Sequence, residues 1–328
     1  MDKEDKLSLL AEVASMYYEQ DLTQSQIAQR TFTSRSRISR LLTLAKEKGI
    51  VEIKIHYPTD RVRHIETALK EKFGLKKAIV LKGGDRTYQE IVEGVGQLAA
   101  NYLDEVISDD MILGISWGKA VYNTVKALKP EEKHKIEVVQ IMGTAGTEDP
   151  VIDAPELIRT LANKYNGKFH TLYAPLYVED DYVRNSLMNE NTIKETLQLA
   201  RKSDIILTGI GCFEPNVPNN LWQGYTLNNL WEGYLTKKER KTLKNQGIAG
   251  TISAHFYDVN GRILNEVMNN KIIGLDLDEL DKIDTIIGVA GGFFKAEAIL
   301  GAIRGKFINV LVTDEATALK VLEMADEI

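Results

Sequence analysis

Two helix-start signals stand eleven residues apart near the N-terminus, and that spacing restricts the fold more than any other feature of the chain. Thr23 can accept a bond from a free first-turn amide while Gln26 reaches back, which is the Ser/Thr-x-x-Glu/Gln capping box. Ile27 and Ala28 then begin an apolar face. Ser34 can cap a second helix, in which Ile38, Leu41, Leu42 and Ala45 recur at three and four. Two short capped helices this close together have the rhythm of a helix-turn-helix. Leu10, Val13, Ala14 and Tyr17 supply the stripe of a helix ahead of the pair. Behind it, Gly49 reads as a left-handed stop, and Val51, Ile53 and Ile55 alternate with Glu52 and Lys54 as a strand would. The pattern predicts a winged helix-turn-helix over residues 1–56.

The second helix of the pair turns its polar side outward. Arg35, Ser36, Arg37, Ser39 and Arg40 fall on or beside the face opposite the apolar stripe. Arginine can pair two donors with O6 and N7 of guanine, and serine hydroxyls take base edges or phosphates, so this helix suits a DNA major groove. With Thr23, Gln24 and Ser34 at the two helix starts, these five form the expected DNA-contacting set. A solvated surface face is the plainer alternative for such charges.

The net charge of −6 argues against a nucleic-acid partner until the chain is divided. Residues 1–64 carry 11 Lys and Arg against 9 Asp and Glu, and the remainder carries 30 against 38. Within 30–48 there are six basic residues and one acid, which places the phosphate attraction where the arginines are. One such reader grips weakly, so a dimer at least is expected on DNA. The single Cys212 excludes an internal disulfide framework and cannot form a metal cluster alone. The charged start MDKEDK does not resemble a signal peptide, and no apolar run approaches the roughly 20 residues that span a bilayer. The expectation is a cytoplasmic protein with no membrane partner, no metal and no cofactor.

Residues 57–64 read as a linker and 65–328 as one large domain. Within it, nearly continuous apolar strands alternate with helices: strands at 78–82, 111–115, 136–142, 169–173, 205–210, 285–290 and 308–313, and helices at 88–106, 119–128, 152–164, 192–202, 294–304 and 315–324. That alternation predicts an α/β fold, a doubly wound and mainly parallel sheet covered on both faces. Residues 213–244, with two Trp and several Asn, interrupt the rhythm and read as a lid, a subunit contact or a rim insertion. Residues 251–262 read as a β-hairpin turning at Asn260-Gly261.

In open parallel sheets ligands bind where strands end and helices begin, because free amides and the helix dipole favour anions there. Small-residue loops stand at several such ends: Gly114-Ile115-Ser116-Trp117-Gly118-Lys119, Gly143-Thr144-Ala145-Gly146, Gly209-Ile210-Gly211, and Gly291-Gly292 with Lys295. Several of them converging on one rim point to a bound phosphate. The first loop also matches the G-x-S-x-G nucleophile elbow, but the last histidine, His255, sits in an expected strand ahead of Asp258 and Asp314, the wrong order for that triad. It is one residue short of a P-loop, and Ala120 stands where Ser or Thr would hold magnesium. No catalytic residue is expected. Lys295 and His170 each have a plainer reading, as a solvated helix-start charge and a structural histidine.

Taken together these stretches resemble the SorC family of bacterial transcriptional regulators over essentially the whole chain. The resemblance rests on Gln26-Ile27-Ala28 and 34–45, on the 114–119 loop, on Leu172-Tyr173-Ala174-Pro175-Leu176, on Gly209-Ile210-Gly211 and on residues 288–318. It implies a winged reader joined to a sensor built like ribose-5-phosphate isomerase and glucosamine-6-phosphate deaminase. A phosphorylated sugar or polyol is the implied effector, and a tetramer is frequent. By position, Ser116, Trp117, Gly118 and Lys119 would line the effector pocket with Gly143, Thr144 and Ala145, and Lys295 would meet the phosphate. Gly114, His170, Gly209, Gly211 and Gly291 complete the expected effector set. The chain departs from the family at Phe32-Thr33, where the turn often has Gly and an aliphatic residue, at Ala120 in place of a frequent Thr, and at His170 in place of an Arg.

The expected function is a DNA-binding regulator, a repressor of a carbohydrate-utilisation operon, answering to that effector. The alternative is an active sugar-phosphate isomerase or deaminase with an appended reader. Such chemistry needs a positioned acid and base, and the strand ends offer carboxylates only at Asp314-Glu315. A third possibility is a sensor that only oligomerises.

Overall fold

The computed structural model describes residues 3–51, 61–146, 154–213, 234–264 and 266–326. The chain separates into two compact units, Met1–Thr59 and Asp60–Ile328.

The first unit contains three helices, α1 (Lys3–Tyr18), α2 (Gln24–Arg30) and α3 (Arg35–Glu47). Both caps form. The Gln26 amide donates to Thr23 Oγ1 at 3.3 Å while the Thr23 amide donates to Gln26 Oε1 at 2.9 Å, and the Arg37 amide donates to Ser34 Oγ at 3.3 Å. Each cap satisfies amides that a helix start leaves free, which is why two helices this short hold their ends. Val13, Ile27, Ala28, Ile38 and Leu42 pack into one cluster, and Leu10, Ala14 and Ala45 into a second beside it. Gly49 takes the expected left-handed conformation, with φ +70°. The expected wing strand at 51–55 lies, apart from Val51, outside the described residues.

The second unit begins inside the stretch 57–64 that the sequence pattern reads as a linker. Arg61 bridges to Leu81, and Val62 is buried with its amide on the Val80 carbonyl at 3.0 Å. The Arg61 guanidinium grips Glu66 with two bonds of 2.7 and 2.8 Å, and Glu66 also accepts the Val80 amide at 3.0 Å. Helix α4 (Arg63–Phe73) leads to β1 (Lys77–Leu81), α5 (Tyr88–Val106), β2 (Ile112–Ile115), α6 (Lys119–Ala127), β3 (Glu137–Gln140), α7 (Ala154–Tyr165) and β4 (Lys168–His170). Then come α8 (Asp181–Asn189), α9 (Asn191–Ala200), β5 (Ile205–Cys212), α10 (Lys237–Asn245), β6 (Ile248–Ile252), β7 (His255–Asp258) and α11 (Glu266–Asn269). The chain closes with β8 (Thr285–Val289), α12 (Ala296–Arg304), β9 (Val310–Asp314) and α13 (Glu315–Asp326).

The main sheet runs β1-β9-β8-β5-β2-β3-β4, all parallel. Successive strand residues enter opposite cores, as the two-residue period requires. In β5, Ile206 and Ile210 join the core with α4, α9, α12 and α13, while Ile205 and Leu207 join the core with α5, α6 and α7. This is the doubly wound sheet that the apolar strand runs imply. From β2 the order proceeds outward through β3 and β4, and from β5 it proceeds the other way through β8 and β9. The junction of β2 and β5 is therefore the topological switch point, where an open α/β sheet leaves a crevice.

One strand expectation is corrected. Residues 251–257 do not form a single arm of a hairpin, because Ser253 and Ala254, with φ of 45° and 67°, make a two-residue turn that splits them into β6 and β7. Two positive φ values match the twist of a tight hairpin, though neither residue is a glycine. Asn260-Gly261 still turns the chain, the Gly261 amide donating to the Asp258 carbonyl at 3.0 Å. Helix α8 falls in a stretch to which the sequence pattern assigned no element.

Candidate DNA-reading face and effector rim

In the first unit, burying Ile38, Leu42 and Ala45 points the other side of α3 at solvent. Arg35, Ser36, Arg37, Ser39 and Arg40 are all exposed, as are Ser34 and Thr23, and Gln24 is half-buried. The hydroxyls of Thr23 and Ser34 already serve as caps, and Ser34 Oγ also lies 3.0 Å from Ser36 Oγ. A hollow of about 540 Å³ lies beside this face, where Tyr17, Tyr18 and Ser25 join Thr23, Gln24 and Arg35. The sequence pattern used Tyr17 only as a core residue and did not single out Tyr18 or Ser25. Their assembly depends on how α1 meets the start of α2, which no local spacing encodes.

In the second unit, the switch point gathers part of the expected effector set. Ser116 directly follows β2. Its amide donates to the Leu207 carbonyl at 3.0 Å, and its Oγ accepts the Gly209 amide at 3.4 Å. Trp117 donates from Nε1 to the Gly143 carbonyl at 3.0 Å, tying the loop after β2 to the loop after β3. Gly118, at φ +122°, turns the chain into α6, and Lys119 is exposed on its first turn. Gly143 has no room for a side chain, since a Cβ there would lie 2.3 Å from the Pro175 carbonyl oxygen. Thr144 pairs with Pro175 and its Oγ1 accepts from Gln140 at 3.3 Å. The Ala145 carbonyl accepts the Tyr234 hydroxyl at 2.6 Å. Lys295 reaches the Ile210 carbonyl at 3.0 Å, between Gly209 and Gly211.

Four expected members stand apart. Gly114 is packed inside β2 against Ile141, Ser203 and Ile206, so it serves closeness of packing. Gly211 abuts Thr251 of β6. Gly291 is pressed against Ile91 of α5 and the Asp314 carboxylate. His170 sits on the edge strand β4 with Nε2 2.8 Å from Glu137 Oε2, a carboxylate at the start of β3 and not at its rim. The two carboxylates at the end of β9 are also engaged. Asp314 is buried and accepts the Gly292 amide at 2.6 Å and the Thr317 hydroxyl at 2.6 Å, while Glu315 accepts the Gly83 amide at 2.6 Å. They cap and tie loops.

The β6–β7 turn contributes polar groups that sequence reasoning passed over. Ser253 follows Ile252, which pairs with Ile210, so the turn lies next to Gly209. Ser253 Oγ and His255 Nε2 are buried with no hydrogen-bond partner among the described residues, although His255 Nδ1 donates to the Ser253 carbonyl at 2.8 Å. His255 Nε2 stands 3.5 Å from Asp276 Oδ1 and is the chief reason the Asp276 carboxyl is held below its ordinary value. A signal existed in the polar Ser253 and His255 inside an otherwise apolar strand, but reading 251–257 as one arm concealed it. A separate cavity of about 600 Å³ is bounded by Cys212, Lys244, Phe293, Glu297 and Lys320. It contains none of the thirteen expected effector residues, although Cys212 and Ala296 neighbour Gly211 and Lys295 in the chain. Burial pushes the Cys212 thiol up, with the charge of Lys295 opposing. No group of side chains suited to a metal ion occurs among the described residues, and no helix among them is long and apolar enough to cross a membrane.

A helix-turn-helix unit and a doubly wound α/β unit in one chain are the architecture of a ligand-responsive transcriptional regulator. Comparison with known proteins gives the same class. The sugar-binding domain family Sugar-bind matches residues 57–323. The sorbitol operon regulator of Klebsiella pneumoniae is 31% identical over 326 residues, 98% of this chain and 100% of that protein. The deoxyribonucleoside regulator of Bacillus subtilis is 31% identical over 318 residues, 97% of this chain and 98% of its own. The crystal structure of the full-length Klebsiella sorbitol operon regulator SorC superposes with a TM-score of 0.73, covering 98% of this chain and 99% of that one at 31% identity. A sugar-binding domain of a transcriptional repressor from Vibrio fischeri superposes with a TM-score of 0.70 at 30% identity, covering 81% of this chain and all of that one. The chain belongs to the SorC family of DNA-binding transcriptional regulators with a sugar-binding domain.

Proposed function

We propose that this regulator controls a carbohydrate-utilisation operon as a repressor, and that a phosphorylated sugar or polyol bound at the β2–β5 switch point sets its affinity for operator DNA. The observation carrying the effector reading is the convergence of Ser116, Gly209, the Trp117–Gly143 tie and Lys295 on the ends of β2, β3 and β5, beside the start of α6. Backbone amides at a helix start and one lysine suit a phosphate. Ser253, whose buried Oγ has no partner among the described residues, suits a sugar hydroxyl. On DNA, Arg35, Arg37 and Arg40 read or clamp the major groove, assisted by Thr23, Gln24, Ser34, Ser36 and Ser39. A homo-oligomer, dimer or tetramer, supplies the second reader. The effector alters DNA affinity by binding one arrangement of the readers more tightly than another.

The protein is not an enzyme in this reading. The engagement of Asp314 and Glu315 supports that, since both carboxylates expected at a strand end already accept bonds from Gly292, Thr317 and Gly83. A thermal-shift screen of phosphorylated sugars and polyols against the purified protein tests the proposal. At least one should raise the melting temperature, its unphosphorylated form should not, and Lys295→Ala should diminish the shift. Turnover of the same compound would overturn the non-enzyme reading, and a flat screen would overturn the effector.

A further inference from the structure

The turn between α2 and α3 contains a side chain whose placement neither the core nor the caps explain. Phe32 adopts the left-handed conformation, φ +51°, where a glycine would be unstrained. Its ring is 98% exposed, more than any other large apolar side chain among the described residues. The turn is closed by its neighbours: the Thr31 hydroxyl donates to the Ile27 carbonyl at 2.7 Å and the Thr33 amide to the Ala28 carbonyl at 2.9 Å. Beyond its amide, which donates to the Gln29 carbonyl at 3.4 Å, Phe32 therefore brings its unit backbone strain and an uncovered ring. Strain of this kind persists at positions where function holds it.

The surroundings indicate what covers the ring. Arg30, Arg35 and Arg37 flank it and are exposed, in the stretch with six basic residues and one acid. That surface complements a polyanion. The turn precedes the Ser34 cap by two residues, so it lies at the N-terminal end of α3, the end of a reading helix that meets base edges. An aromatic ring among arginines at that end finds its apolar counterpart in the thymine methyl group, the main apolar feature of the major groove.

We propose that Phe32 is a specificity-determining residue that recognises a thymine methyl beside the bases read by the start of α3. The inference rests on the DNA-reading assignment of this helix. Duplexes selected from a random-sequence library by the purified full-length protein provide the probe. For Phe32→Gly, affinity for the selected duplex should fall about fivefold at fixed salt, because the apolar contact is lost. The salt dependence should stay the same, since no phosphate contact is removed. The melting temperature should hold or rise, because the strain is relieved. Replacing one thymine by uracil, which removes only the methyl, should weaken wild-type binding to a similar degree and leave the variant unaffected. A variant that binds the thymine duplex as tightly as wild type, or a wild type indifferent to uracil at every position, would overturn the proposal. Selection of no sequence at all by the wild type would instead bring down the DNA reading beneath it.

Discussion

The reading helix and the effector rim hold their polar groups in opposite ways. On α3 the guanidinium groups of Arg35, Arg37 and Arg40 face solvent and no ion pair joins them to a described residue. At the rim, Ser116, Trp117, Thr144, the Ala145 carbonyl and Lys295 are already bonded to other parts of the same unit. An extended polyanion is met by charges that wait outside. In the proposed function a small ligand meets a frame whose loops are already tied to one another. A ligand that takes over one of those ties also alters its neighbours, which is what a sensor requires and a passive grip does not.

The comparison breaks most severely if the reader's small core is opened. Ile38→Ala removes a fully buried side chain from a cluster of few members, at a cost of about 2–5 kcal/mol. A unit of this size has little stability in reserve. DNA retention should be lost while stabilisation by a sugar phosphate persists, as read by binding and thermal-shift assays on the same preparation. Loss of both together would mean that the two units do not fold independently. Next in size is Glu66→Ala, which strips a buried carboxylate from the Arg61 guanidinium and the Val80 amide at the entrance to the second unit. Breaking such a pair costs about 3 kcal/mol and should appear as a lower urea midpoint, with little effect on a reader tested by DNA binding at low urea. Arg37→Ala is smaller again. It should weaken operator binding by about 1–3 kcal/mol if the side chain holds a guanine edge, with no change in effector binding. Unchanged affinity at fixed salt would remove it from the reading face.

Legibility in the sequence followed the range of the interactions. Caps and stripes are local, so Thr23-Gln26, Ser34 and the Ile38-Leu42-Ala45 face could be read from spacing and were found in place. Apolar strand runs are nearly as local, and they led to the parallel sheet. Of the expected rim residues, Ser116 directly follows β2 and Gly209 lies within β5, where the Gly209 amide meets Ser116 Oγ across the switch point. Gly114 and Gly291 share the composition of a phosphate loop but serve close packing, a difference set by distant partners such as Ile206 and Ile91. His170 followed a strand, but β4 is the edge of the sheet and the ring turns to Glu137. The β6–β7 turn was missed because Ser253 and Ala254 make a tight turn without glycine, proline or asparagine.

The smallest effect lies where that missed turn meets the rim. Asp276 faces His255, and its carboxyl is lowered from 3.8 chiefly by that neighbour, with burial opposing and Arg184 and Arg201 assisting. A carboxyl lowered on folding contributes stability that is complete above its unfolded value and is lost as the pH falls through the folded one. The Asp276 side chain is still 52% exposed, so solvent screening keeps the contribution below about 1 kcal/mol. Asp276→Asn should therefore lower stability slightly at neutral pH. The gap to wild type should stay constant down to about pH 5 and close as acid is added below it. Unfolding followed along that acid limb decides the matter: a gap of constant width would show that the carboxylate does not hold the β6–β7 turn through His255, and the contrast between a pre-tied rim and an open reading face would lose this tie.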